Sequence, residues 1–102
     1  MKIEVPVREL RKEPVNVFGH DVFVVEWNAK RREQFESKIM KHKDEASFRA
    51  CVIASSLVDA DGNDVEVDEI ALGNLPATMI APIYDACDKV NKLADIEKKD
   101  AN

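Results

Sequence analysis

The sequence predicts an α+β fold, mainly helical, in which an N-terminal β-hairpin packs against about three to four helices. Three observations lead there. Two β-branched runs, Val15-Asn16-Val17-Phe18 and Val22-Phe23-Val24-Val25-Glu26-Trp27, bracket the short segment Gly19-His20-Asp21, the pattern of a hairpin. Downstream, apolar residues recur at helical spacing behind residues able to cap helices. Turn-forming residues fall between these stretches and mark no internal repeat. The 102 residues are read as one domain over residues 1–94, followed by a charged tail, 95–102, expected to be disordered.

Residues 1–14 alternate apolar and charged side chains and contain Pro6 and Pro14. Each proline removes a backbone donor, so an edge strand or extended arm is expected there. In the second hairpin strand, Phe23, Val25 and Trp27 share one face, and Val22 and Val24 share the other with Glu26. Both faces are thus largely apolar, which requires a helix layer on each or a face kept for a partner.

Asn28 is placed to cap a helix from Ala29 to about Lys43, anchored by Phe35 and Ile39. Asp44 offers the next cap, opening a helix from Glu45 to Ser56. This second helix is apolar most of the way round and is expected at the centre of the core. A short β-turn or hairpin is expected near residues 58–67, where Asp59-Ala60-Asp61-Gly62-Asn63-Asp64 is a strong turn signal. Asp68 caps a brief helix from Glu69 to about Leu72, which Gly73 and Asn74 end. Pro76 opens a last helix with Met79, Ile80, Ile83, Tyr84, Cys87, Val90, Asn91 and Ala94 on one face. Pro82 lies inside that pattern, so the helix restarts or bends there.

Composition narrows the function. A net charge of −5 and a basic cluster, Lys30-Arg31-Arg32, followed at once by Glu33 and Glu36 argue against nucleic-acid binding, which needs an uncompensated basic stripe. The longest apolar run, Ala50 to Ala54, is far too short for a membrane span, and Met1-Lys2-Ile3-Glu4 is no secretory leader. Cys51 and Cys87 stand in apolar helical patterns without a CxxC and read as packing residues.

The aspartate-rich turn invites a calcium reading. Aligning Gly62 with the glycine of an EF-hand loop places Leu57, which has no ligand oxygen, at the first position. A tight turn explains the motif better. His20 and His42 lack metal-ligand spacing, and the serines lack a nucleophile elbow or an adjacent base. The reading is non-enzymatic, with no cofactor.

The ordered series of features has a familiar form. A hairpin ending Val22-Phe23-Val24-Val25-Glu26-Trp27 precedes the charged helix Lys30 to Glu36, the apolar helix Cys51 to Val58, the turn Asp59 to Asn63, Leu72-Gly73-Asn74-Leu75-Pro76, and a helix closing on Tyr84 to Leu93. Over residues 15–94 this resembles the tail assembly chaperones of long, non-contractile-tailed phages, the lambda-type minor tail protein G group. The resemblance implies a non-catalytic protein of the host bacterial cytoplasm that coats the tape measure protein and keeps it soluble. It also implies recruitment of tail tube protein through a frameshifted longer form, and absence from the finished virion. Lys98-Lys99 in the tail is where such a frameshift would be encoded. Coating calls for self-association and accessible apolar surface, and Val22, Val24, Trp27, Met79, Ile80 and Ile83 are the expected interaction residues. The other reading is a small cytoplasmic adaptor or regulatory protein that binds one defined partner.

Overall fold

The structure is a computed structural model that describes residues 1–92. The expected tail and Ala94, placed on the stripe of the last helix, lie outside these residues. Residues 1–11 carry no regular secondary structure and lead into β1 (Lys12–Val17), which pairs antiparallel with β2 (His20–Val25). Phe18 and Gly19 form the two-residue turn, both at positive φ (51° and 89°). Such a turn matches the twist of the flanking strands, and glycine takes its share of the left-handed backbone without steric cost.

The register runs from Val17 opposite His20 to Lys12 opposite Val25. A two-residue turn makes Val17 and His20 a hydrogen-bonded pair, so odd residues of β1 bond to β2 and even ones point outward. The bond from Glu26 N–H to the Arg11 carbonyl, 2.8 Å, keeps this parity past the strand's end. Pro14 is even and its missing donor faces away from the ladder, which is why a proline is tolerated here.

α1 (Ala29–His42) is capped as expected, Asn28 Oδ1 accepting from Arg31 N–H at 2.8 Å. The second helix differs from expectation. α2 spans Phe48–Ala54 and is capped by Ser47, whose Oγ accepts from Ala50 N–H at 3.0 Å. Lys43 (φ 43°) breaks the chain after α1 and Glu45 N–H folds back onto the His42 carbonyl, so Asp44 sits in a turn and caps nothing. At its other end the helix stops before Leu57. Leu57–Val58 form β3, which pairs antiparallel with β2 (Phe23 opposite Val58, Val24 opposite Leu57) and completes a sheet of order β1-β2-β3. Val58 also bridges to Asp64, which gives the short β-turn expected near residues 58–67.

α3 (Glu69–Gly73) is capped by Asp68 through the N–H groups of Ile70 and Ala71. α4 (Ala77–Asn91) continues through Pro82 without restarting. Pro82 is exposed, so the Thr78 carbonyl left without its intrahelical donor lies on the water side. The buried residues Ile80, Ile83, Tyr84, Cys87 and Val90 follow the predicted stripe.

The core lies where these elements converge. Ala50, Cys51, Val52 and Ile53 of α2 are fully buried and meet Val17 and Val24 from the sheet, Phe35 from α1, Leu72 from α3 and the α4 stripe. α2 is the central helix, packed on α1, α3 and α4, while α4 lies on β1 and β2. Trp27, Phe35 and Phe48 stack from the end of β2 across α1 to α2, with centroid distances of 4.9 and 5.5 Å. No helix among the described residues is long and apolar enough to cross a membrane.

Polar atoms close the open end of the sheet. Asn91 Oδ1 accepts from Trp27 N–H at 2.8 Å, and its Nδ2 donates to the Val25 carbonyl at 3.1 Å. Trp27 Nε1 donates to Ser56 Oγ at 2.9 Å, and Ser56 donates onward to the Val52 carbonyl at 2.6 Å. Asn91→Ala removes both backbone partners at once and should lower unfolding free energy by about 1–3 kcal/mol, measured by urea titration. Val24→Asp places a carboxylate at a fully buried position. It should cost roughly 3–5 kcal/mol and bring the melting point down sharply in a calorimeter, before any effect on assembly can be read.

Candidate functional site

Of the residues expected to form an interaction surface, most are used by the domain itself. Val24, Ile80 and Ile83 are buried in the core, and Val22 and Trp27 are partly buried against it. The physical reason is that α4 lies on β1 and β2 and, with α2, covers the inner sheet face, while β3 closes the free edge of β2. The opposite face is closed only toward β3, where Val25 and Val58 are buried and Phe23 is half-buried with Lys12 Nζ 5.6 Å from its ring centroid; Lys12, Pro14, Asn16 and Asp21 on the same face are exposed. Met79 alone of the six stays at the surface, 47% exposed.

The exposed apolar surface lies elsewhere. Ile3, Val5 and Val7 of the N-terminal arm are 76%, 82% and 100% exposed, and Phe18, Met40 and Met79 add to it on the domain. Sequence reading noted the arm's alternation but gave it no role. Its signal was three aliphatic residues at period two in a segment carrying two prolines.

The base of this arm is fixed by Glu26. One carboxylate oxygen lies 2.9 Å from Arg8 Nη2 and 3.3 Å from Arg11 Nη2, and the other accepts from Arg11 N–H at 3.1 Å. Arg11 also donates to the Val90 carbonyl at the end of α4, 3.1 Å away. The Arg8 hydrogen bond, helped by the Arg11 backbone N–H, holds the Glu26 carboxyl down to about 2. The arm thus leaves the domain in a set direction, from a base shared by β1, β2 and α4.

A second feature is a groove of about 780 Å³ between α1 and the stretch Asp64–Glu69, with Ala54, Val65 and Val67 among its lining residues. Most of its charges are paired within the domain. Arg31 bonds Asp64 Oδ1 at 2.8 Å and the Ser55 carbonyl at 3.0 Å, and Glu69 lies 2.8 Å from His42 Nε2 and 3.7 Å from Lys38 Nζ. Burial alone would raise the Glu69 carboxyl. The backbone N–H of Glu69, His42 and Lys38 outweigh it and hold the carboxyl below its ordinary range.

The aspartate-rich turn is a self-contained loop. Asp59 Oδ1 accepts from the N–H groups of Asp61 and Asn63, at 2.9 and 3.0 Å, and Gly62 takes φ 85°. This carboxylate oxygen therefore orders the backbone of its own turn. Burial pushes the Cys87 thiol up to about 12, and burial with the nearby Glu69 charge raises Cys51. Both sulfurs are buried and free, and a thiol held protonated is a packing group rather than a nucleophile. No family model, curated protein or solved structure matches the chain.

The Glu26 clamp has a defined pH response. Because its folded value is depressed, the contribution is complete above the ordinary carboxylate value and is lost as pH falls from there to about 2. Glu26→Gln should free the arm at neutral pH as acid does in the native chain. Limited trypsin digestion at Arg8 and Arg11 should then run several-fold faster, with the melting point little changed. Equal cleavage rates would show that the clamp does not order the arm.

Proposed function

We propose that this chain is a non-catalytic tail assembly chaperone of a long, non-contractile-tailed phage. It acts in the host bacterial cytoplasm, coats the tape measure protein and holds it soluble while tail tube protein is recruited. A frameshifted longer form supplies the contact with the tube protein, and copies associate with one another along the client. The order of elements that resembles the family supports this reading. The observation that carries it is the exposed aliphatic arm, Ile3, Val5 and Val7, outside a core that closes without it. Apolar side chains kept in water on an acidic, charged domain suit a protein that covers apolar segments of another chain.

The groove beside Val65 and Val67 favours a second reading, a small adaptor that takes one peptide at fixed stoichiometry. Reading the neighbouring genes, and co-expression with any tape measure protein found among them, separates the two. The chaperone reading expects soluble complexes with many copies per client by native mass measurement. It also expects loss of client solubility when Ile3, Val5 and Val7 are all changed to Ser, with the domain still folded. One copy per partner would favour the adaptor, and a gene with no tail tube or tape measure neighbours would overturn the chaperone.

A further inference from the structure

The arm has the pattern of a strand and no sheet to join. Ile3, Val5 and Val7 alternate with Lys2, Glu4, Pro6 and Arg8, and all of them are exposed. β2 ends at Val25 and the chain turns away into α1, so the last ladder bond is the one from Glu26 N–H to Arg11. Beyond Arg11 the described chain offers the arm no strand of its own. The clamp of Arg8 and Arg11 on Glu26 keeps it pointed outward.

The two edges of this overhang are not equivalent. Drawn out as a continuation of β1, the arm keeps the same parity, and Pro6 and Pro14 both fall on even positions. The even edge lacks donors at both, which discourages pairing there. The odd edge keeps every N–H and C=O of Ile3, Val5 and Val7. An antiparallel pair about a two-fold axis lets one edge serve as its own complement, since the same patch meets itself.

We infer that residues 2–10 form an antiparallel ribbon with the same residues of a second copy, hydrogen-bonded through Ile3, Val5 and Val7, with the two-fold axis at Pro6. Charge selects the register. With Pro6 opposite Pro6, Val5 faces Val7, and Glu4 faces Arg8 at both ends. Sliding toward the N-terminus sets Lys2 against Arg8 after one step and Glu4 against Glu4 after two; sliding the other way breaks both Glu4–Arg8 pairs after one step and sets Arg8 against Arg8 after two. The ribbon is roughly 30 Å long at about 3.3 Å per residue. A free two-stranded ribbon is marginal in water. Here Glu26 orders the base of each strand beforehand, which lowers the entropy lost on pairing. The inference stands on the arm's geometry and does not depend on the chaperone reading.

Sedimentation of the full chain from low to high micromolar concentration tests it, with three variants. The native chain should show a monomer–dimer equilibrium. Val5→Pro deletes an odd-edge donor in each copy and should weaken the dimer roughly tenfold or more. Lys2→Pro, at an even position outside the Glu4–Arg8 pair, alters only the outer edge and should leave the dimer within a few-fold of native. Pro6→Cys places two sulfurs across the axis in a close pair, so mild oxidation should give a covalent dimer, with the buried native thiols taking no part. Circular dichroism confirms that each variant is folded. A native chain that stays monomeric overturns the inference, as do equal effects of the two proline variants. A dimer that fails to cross-link through Pro6→Cys also overturns it, because the arm would then be pairing with some other surface.

Discussion

The fold depends on how the end of a strand is closed. β2 is the central strand, with β1 on one side and β3 on the other, and its ladder must stop where the chain turns toward α1. A strand end packed against a helix would leave the Val25 carbonyl and Trp27 N–H without partners. The Asn91 amide meets both, since its oxygen accepts and its nitrogen donates in the spacing of a backbone peptide. The last turn of α4 thereby acts as a short substitute strand. Because α4 also carries the core stripe, the same contact sets the angle at which Ile83, Cys87 and Val90 meet the sheet.

From that point the polar chain continues inward. The Trp27 indole reaches Ser56, and Ser56 reaches back into the last turn of α2. Ser56 is fully buried, so its hydroxyl has to be satisfied, and serving as donor and acceptor together does so. This pair fixes the place where helix gives way to β3. Glu26 plays the matching part at the outer end, joining β1, β2 and the arm through three donors. The two closures differ in kind. The first holds neutral amides and hydroxyls in the partly dry interior, while the second is an ionic cluster at the surface.

Local signals in the sequence were sufficient wherever a single residue decides the structure. Asn28 and Asp68 cap the helices they were expected to cap, and the apolar stripe of α4 was read in register. The start of α2 was misread because Asp44 and Ser47 are both competent caps. The choice between them rests on the turn after α1, where Lys43 takes positive φ. The short β element near residue 58 was expected, but its pairing with β2 was not, because Leu57 continues the helical stripe of α2 and only the distant partners Phe23 and Val24 make it a strand. The sheet face expected to serve a partner is covered by helix packing, chiefly from α4. Asn91 was placed on the apolar stripe without a role. A lone amide among Cys87, Val90 and the aliphatic residues was the available sign of a buried backbone contact. The arm's apolar residues were visible too, but their exposure depends on the sheet lacking room for them, which is a fact of topology.

The Asn91 contact joins residues 64 and 66 positions apart, which has a consequence for the order of events during synthesis. The hairpin and α1 emerge from the ribosome long before their closing partner. Until the final turn of α4 is free, the sheet lacks the helix that covers β1 and β2, and the nascent chain shows water an incomplete core. Contacts of such separation slow folding, because the intervening loop must close before they contribute. A protein built this way spends its early life with apolar strands uncovered and becomes a single cooperative unit only when nearly all of the described chain has been made. Its own need for protection is therefore greatest during translation, over the seconds in which residues 27 to 91 are added.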